Sequence, residues 1–203
     1  MTHSTGTTLL TTVSSRTDMS GAIRAAAVLF VAVLTALAAQ VSIPLPFTPV
    51  PFTLQPMIVL VGGAALGARL GMASQMIYLL AGIAGLPVFA SSPVLPQGLL
   101  RLLGPTGGFL MAYPFAAFVA GWLGERGFDR RYLTSVIAMA AGLTLIFACG
   151  IAWFAWFASP APVGLSNALQ LALYPFVGID ILKILLAATV LPSVWTLTDR
   201  ARG

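Results

Sequence analysis

Charged residues are scarce in this chain of 203 residues: ten are basic and five are acidic, together 7% of the sequence. Soluble domains carry about 25% charged residues, because their water-facing surface must be covered by polar groups. Hydrophobic residues make up 59% of this chain. Fifteen charges cannot coat a globule of this size. The composition therefore excludes a water-soluble monomer and indicates a protein embedded in a lipid bilayer.

Cysteine and histidine are nearly absent, with one residue of each. The single Cys149 excludes an intrachain disulfide, and the single His3 near the N-terminus leaves no histidine for a hydrolytic triad or an ordinary metal cluster. The basic residues are scattered between apolar runs rather than clustered with aromatic residues, which argues against nucleic-acid binding. These absences point away from an enzyme, and no cofactor or metal is expected.

Nucleotide-binding chemistry is also missing from the sequence. No G-x-x-x-x-G-K-[ST] stretch occurs, and the turn that begins at Gly104 lacks the lysine that holds β- and γ-phosphates. We therefore do not expect this chain to hydrolyse ATP by itself. If it takes part in an energised process, a partner must supply the energy.

Long apolar runs, separated by proline, glycine and charged residues, predict an all-α integral membrane protein with six transmembrane helices. Residues 1–20 are rich in Ser and Thr and are predicted to form a disordered cytoplasmic tail, whereas residues 21–203 form the transmembrane domain. Five prolines within residues 44–56 exclude a helix there. The predicted spans cover residues 22–43, 57–66, 70–84, 105–123, 133–158 and 177–197.

The arginines indicate how these six spans are oriented, because cytoplasmic loops carry an excess of Lys and Arg. One side receives only Arg101, and Lys183 lies inside the last span. The opposite side receives eight cations: Arg16, Arg24, Arg69, Arg126, Arg130, Arg131, Arg200 and Arg202. The asymmetry predicts that both termini lie in the cytoplasm, in a multi-pass protein of the cytoplasmic membrane.

Three stretches occur in a characteristic order. They are PFTPVPFTLQ at residues 46–55, GLPVFA at 85–90 followed by GPTGGF at 104–109, and PFVGIDILK at 175–183. In this order and spacing the chain resembles the BioY family, the biotin-binding S components of energy-coupling factor (ECF) transporters. The likeness covers essentially everything after the tail. It implies a six-helix fold with an outward-facing biotin pocket, a transmembrane coupling protein and two cytoplasmic ATPases.

Asp180 and Lys183 are the most informative candidate site residues. They lie three residues apart, on one face of the last predicted helix. Charges inside a membrane are costly and normally face a cavity or each other. One interpretation is an ion pair that pins helix packing. The other, favoured by the resemblance, is that Asp180 accepts hydrogen bonds from the ureido N–H groups of biotin, while Lys183 donates to the ureido carbonyl or pairs with Asp180. A helix start near Val177 would place Asp180 in the first turn, where the helix dipole favours a carboxylate.

Arg101, the only cation on the outer side, has two interpretations. It is either a loop arginine that snorkels to the interface or a forked donor for the biotin carboxylate. Several further residues are candidates for ligand contact. The polar or backbone candidates are Gln55, Gly104, Thr106 and Gly107, and the aromatic candidates are Phe52, Phe89 and Tyr174. Each also has a structural explanation: a hydrogen bond to loop backbone for Gln55, close helix packing for the glycine turn, and anchoring at the membrane interface for the aromatic residues.

Ala32 and Ala36 form a small-x-x-x-small pattern in the first predicted helix. Small residues at this spacing let helices approach closely. By resemblance to other S components, this pattern suggests a docking surface for the coupling protein. Chance also explains it, because the helix is rich in alanine.

Two other functions compete with a transporter subunit. A self-sufficient secondary carrier for biotin or another small vitamin would normally show several acidic residues within the membrane, and only Asp180 qualifies. A membrane-embedded enzyme needs acid, base or metal groups that five acidic residues and one histidine barely provide. Both stay open on the sequence alone.

Overall fold

The computed structural model describes residues 8–9, 20–92, 96–158 and 160–200. Apart from one short hairpin, its regular elements are helices. They are α1 (Ser20–Gln40), α2 (Gln55–Leu66), α3 (Ala68–Ile83), α4 (Leu100–Leu103), α5 (Gly107–Gly124), α6 (Tyr132–Trp156), α7 (Leu165–Ala172), α8 (Tyr174–Ala187) and α9 (Val190–Arg200). Strands β1 (Ser42–Ile43) and β2 (Phe52–Thr53) pair in antiparallel fashion. The prediction of an all-helical architecture is confirmed for these residues.

The proline-rich segment after α1 forms a loop between the two strands, as its lack of backbone donors predicts. The loop is attached to the helices, because the Thr48 hydroxyl donates a 2.7 Å hydrogen bond to the carbonyl oxygen of Leu171 near the end of α7. Helix α2 then starts at Gln55, two residues earlier than the sequence predicts. Pro56 is tolerated in the first turn, where a missing N–H breaks no intrahelical bond.

The turn between α2 and α3 is a single glycine. Gly67 has φ of 89°, a conformation that residues with a Cβ adopt only under strain. The predicted division into two helices is confirmed, but α3 begins at Ala68, two residues earlier than predicted, and includes Arg69. Glu125 stabilises the start of α3, because its carboxylate accepts a 2.8 Å hydrogen bond from the backbone N–H of Ala68.

Helix α5 is central and packs against α2, α3 and α6. Its glycines allow backbones to touch: a Cβ on Gly121 would collide with the backbone of Gly67 and Ala68. On the other side of the contact, a Cβ on Gly63 would collide with the backbone of Ala117. Small residues are the usual means by which helices associate tightly in a bilayer, where apolar burial provides no driving force between them.

The last predicted span differs from the structure in two respects. It begins at Tyr174, three residues earlier than predicted, and it is interrupted between α8 and α9 at Ala188 and Thr189. Pro175 lies within the first turn of α8. Asp180 is therefore in the second turn, so the expected stabilisation by the helix dipole at the first turn is wrong.

Four helical segments in the described residues are long and apolar enough to cross a membrane by themselves: Gly21–Gln40, Gly107–Gly124, Tyr132–Trp156 and Tyr174–Leu197. Helices α2 and α3 are shorter than a standard span. Large apolar side chains such as Phe30 and Leu133 are exposed on the outside of the bundle, as expected for a surface in contact with lipid.

The N-terminal 20 residues lie mostly outside the described part. Thr8 and Leu9 are described, and the disordered tail as a whole stays a prediction. Thr8 is buried beside Gly67, and Leu9 packs against the helical core. Ser20 already belongs to α1.

Candidate ligand-binding site

A cavity lies between the proline-rich loop, the start of α2, and helices α4, α5, α6 and α8. Phe109, Phe147 and Phe176 provide much of its apolar wall. Its polar wall consists of seven residues from five parts of the chain: Thr53, Gln55, Arg101, Thr106, Tyr113, Asp180 and Lys183. Apolar walls with a few convergent polar groups are typical of sites for small organic molecules.

Asp180 and Lys183 form an ion pair on the cavity wall. The Lys183 ammonium lies 2.7 Å from Asp180 Oδ1, and both side chains are buried. The ammonium also donates a 2.6 Å hydrogen bond to the Thr53 carbonyl oxygen and lies 3.7 Å from the centre of the Phe52 ring. The two interpretations of this pair are thus compatible, because the residues bind each other and also face the cavity.

Arg101 is almost completely buried, with 1% of its surface exposed. Its Nη2 donates a 2.8 Å hydrogen bond to the carbonyl oxygen of Ala90, and the side chain lines the cavity. Burial lowers the pKa of the guanidinium from its ordinary value, while the nearby Tyr78 and Tyr113 act in the opposite direction. A snorkelling arginine would reach the interface instead, so that interpretation does not fit.

Thr106 contributes a polar atom with no assigned role in the fold. Its hydroxyl is buried and makes no hydrogen bond within the described residues, although the residue lines the cavity. A buried hydroxyl without a partner costs free energy. A ligand in the cavity would supply the missing partner.

Gln55 lines the cavity, but three predicted aromatic contacts do not. Phe52 lies behind the wall, under the Lys183 ammonium. Phe89 is fully buried and packs edge-on against Tyr78, with the ring centres 5.7 Å apart, in space that Gly82 leaves empty. Tyr174 is 64% exposed. These three aromatic residues therefore lie outside the cavity wall, contrary to the prediction.

The two candidate glycines also lie outside the cavity wall. The Gly104 carbonyl accepts a 3.0 Å hydrogen bond from the indole N–H of Trp153, and a Cβ on Gly107 would collide with the Leu102 carbonyl. Both positions allow close packing between α4, α5 and α6. The presence of glycine at both positions is explained by the close approach of backbone segments within the protein.

Sequence reasoning missed the cavity residues of α5, above all Phe109 and Tyr113. Tyr113 carries a hydroxyl group in the middle of an otherwise apolar helix, and this feature could have identified it as a candidate from the sequence. Buried tyrosine hydroxyls usually find a hydrogen-bond partner, so such a position indicates a polar neighbour or a ligand.

Ala32 and Ala36 were predicted to dock a partner. Ala32 is only 6% exposed and belongs to the protein's own core, and Ala36 is half-buried and packs against that core. A bulky side chain at Ala32 would therefore have to displace core residues. The docking role of this pair stays a prediction.

The fold and the cavity together define a helical membrane protein with a largely apolar cavity between its helices. A solved protein of this class matches it, described as the S-component for biotin from an ECF-type ABC transporter, in a crystal structure at 2.1 Å. The TM-score is 0.78, and the match covers 89% of this chain and 94% of that chain. At 22% sequence identity, this likeness shows a common fold.

The BioY family model matches residues 8–200, and the chain belongs to the BioY family. A protein of Pyrococcus horikoshii named "Probable biotin transporter BioY" is 43% identical over 162 residues, which cover 80% of this chain and 89% of that protein. "Biotin transporter BioY" of Thermotoga maritima is 34% identical over 148 residues, covering 73% of this chain and 82% of that protein. A relative of the same name from Rhizobium etli is 35% identical, covering 79% of this chain and 86% of that protein.

Proposed function

We propose that this chain captures biotin and acts as the substrate-specific subunit of an ECF-type ABC transporter in the cytoplasmic membrane. The observation that carries the proposal is the buried Asp180–Lys183 pair on the wall of a largely apolar cavity. Burying an ion pair is costly, and a ligand that bonds to it recovers part of that cost. Membership of the BioY family, whose relatives are named biotin transporters, identifies the ligand.

The chemistry of biotin fits the groups that line this cavity. Its ureido ring carries two N–H donors and a carbonyl acceptor, which match the Asp180 carboxylate and the Lys183 ammonium. The carboxylate of its valerate chain matches the guanidinium of Arg101. Its apolar rings match the phenyl side chains of Phe109 and Phe176.

The direct test is a calorimetric titration of the purified protein in detergent with biotin, combined with mass spectrometry of small molecules that copurify with it. We expect a single saturable binding site for biotin, because one cavity contains all the polar groups named above. Recovery of another vitamin from the protein, together with no heat on addition of biotin, would overturn the ligand assignment.

We further propose six transmembrane segments with both termini in the cytoplasm: α1, α2, α3, α5, α6 and the interrupted pair α8–α9. The support is the distribution of arginines, eight on one side of these segments and one on the other. Helices α2 and α3 are short, but they fold back on each other at Gly67 and pack on the long α5, which supports their place in the bundle.

Cysteine labelling in intact cells tests this topology. In a Cys149→Ser background, which removes the exposed native thiol, a cysteine at Arg126 should react only with reagents that enter the cytoplasm. A cysteine at Pro162 should react from outside. A cysteine at Gly203, which lies outside the described residues, should also react only with reagents that enter the cytoplasm. Labelling of position 126 by an impermeant reagent would contradict the proposed orientation.

The alternative of a self-sufficient carrier is tested by reconstitution of the chain alone into vesicles. Asp180 is the acidic residue that the described spans place on the cavity wall, and its partner Lys183 already occupies one of its oxygens. Ion-coupled carriers normally use several acidic groups. We therefore propose that uptake needs a transmembrane coupling protein and two ATPase subunits. Rapid biotin accumulation without them would favour the carrier.

A further inference from the structure

Two hydrogen bonds in series run behind the cavity wall. The amide nitrogen of Gln55 lies 2.6 Å from the hydroxyl oxygen of Tyr78, and that hydroxyl lies 3.3 Å from the carbonyl oxygen of Val88. Gln55, the first residue of α2, lines the cavity. Tyr78 is 1% exposed and stands behind Gln55, outside the cavity wall.

The order of donors and acceptors in this series is determined by chemistry. A backbone carbonyl can only accept, so the single Tyr78 proton is donated to Val88. The Tyr78 oxygen then accepts a hydrogen bond from Gln55. The amide of Gln55 must therefore direct its NH₂ group toward Tyr78, which leaves its carbonyl oxygen, Oε1, for the cavity. Within the described residues this oxygen receives no hydrogen bond.

Packing keeps Tyr78 in this orientation. The Phe89 ring meets the Tyr78 ring edge-on, and Phe89 is itself fixed where Gly82 has no side chain. A residue held in this way can orient its neighbour before a ligand arrives, so the ligand does not have to pay for the ordering.

If Asp180 is the only acceptor in the cavity, one of the two ureido N–H groups of biotin has no hydrogen-bond partner. Asp180 Oδ1 is bonded to Lys183, so Oδ2 is the oxygen that remains for the cavity. The ureido ring has two N–H groups and needs a second acceptor. Gln55 lies near this pair in space, because Lys183 also binds the carbonyl oxygen of Thr53, two residues before Gln55 in the chain.

We propose that Tyr78 is a positioning residue: it orients the Gln55 amide so that Oε1 accepts a hydrogen bond from one ureido N–H of the ligand, while Asp180 accepts from the other. This inference rests on the proposed binding of biotin. Without the Tyr78 hydroxyl the amide loses its preferred direction, and its NH₂ group can turn toward the ureido N–H. We expect Tyr78→Phe to weaken biotin binding by about threefold to tenfold, as for the loss of one neutral hydrogen bond.

A double-mutant cycle tests the inference, with calorimetric titration of biotin into wild type, Tyr78→Phe, Gln55→Ala and the double variant. If Tyr78 acts through Gln55, Tyr78→Phe weakens binding in the wild-type background but has no further effect when Gln55 is Ala. A general structural role predicts the same loss in both backgrounds. Additive losses, or wild-type affinity in either single variant, would overturn the proposal.

Two analogues of biotin, each methylated on a different ureido nitrogen, provide a second measurement that does not require a folded Tyr78 variant. One of the two lacks the N–H that Gln55 accepts, so Gln55→Ala should weaken binding of biotin and of the other analogue but not of that one. Equal losses for all three ligands would exclude the assignment of Gln55. If wild type does not bind biotin, the proposed function itself fails. If wild type binds biotin but the losses of affinity in the two single variants are additive, only the role of Tyr78 fails.

Discussion

Asp180→Asn is expected to bind biotin about tenfold to a hundredfold more weakly than wild type in a calorimetric titration. The amide accepts hydrogen bonds less strongly than a carboxylate and brings an NH₂ group toward the ureido donors. Loss of a hydrogen bond to a charged group costs about 1.5–3 kcal/mol, which corresponds to this range. The Lys183 ammonium keeps its bond to Thr53 in this variant, so the protein should still fold.

Asp129→Asn is a matched control, because the same chemical change is made to a second buried carboxylate. Asp129 follows α5 and accepts a 2.7 Å hydrogen bond from the indole N–H of Trp195 in α9, away from the cavity wall. This variant should bind biotin as wild type does. A folded Asp180→Asn protein that also binds like wild type would remove Asp180 from the site.

Lys183→Met should be at least as damaging as Asp180→Asn. It removes a donor, breaks the link to Thr53 and leaves the Asp180 carboxylate buried without its partner. Removing one member of a buried pair typically costs about 3–5 kcal/mol. The thermal unfolding of this variant must therefore be compared with its affinity. An unstable protein with unchanged biotin affinity would show that the pair serves packing alone.

Arg101→Ala is expected to abolish the preference for free biotin over its uncharged methyl ester. In wild type the guanidinium should bind the valerate carboxylate, so the free acid is favoured by about tenfold or more. The variant should bind both ligands with similar affinity, because the free acid loses its advantage. The measurement is a pair of titrations, biotin and biotin methyl ester, for each protein.

Arg101 also holds Ala90, so the substitution disturbs the wall of the cavity. The comparison of two ligands separates this effect from recognition. A disturbed wall weakens the acid and the ester equally, whereas loss of the carboxylate partner weakens only the acid. An unchanged ratio of the two affinities in Arg101→Ala would place the carboxylate elsewhere in the cavity.

Much of the candidate site could be predicted because its strongest signals are local. Asp180 and Lys183 lie three residues apart, and a helix necessarily brings such residues onto one face, whichever residue begins the helix. The position of the start was wrong by three residues, yet the ion pair is present at 2.7 Å. Arg101 was identified from the distribution of charge along the sequence, as the only cation on the predicted outer side.

The predicted aromatic contacts show the limit of prediction from local sequence patterns. Phe52 and Phe89 occur in the family motifs and Tyr174 directly precedes one, but these three lie behind the cavity wall or on the surface. Phe109 and Phe176 also occur in the motifs, and they face the cavity. A sequence motif shows which residue is present but not the direction in which its side chain points. The direction of Phe89, for example, depends on the space that Gly82 leaves in another helix.

The sequence by itself determined the solvent, the helical class and the breaks between helices, because charge content, apolar run length and proline act locally on the chain. Only the tertiary structure decided which polar groups meet. Gln55 and Tyr78 are 23 residues apart and bond at 2.6 Å, and Lys183 reaches Thr53 across 130 residues. Such contacts depend on how the helices α2, α3 and α8 pack, and packing depends on all side chains at once. For the same reason Ala32 belongs to the core, although its spacing suggested an exposed docking surface.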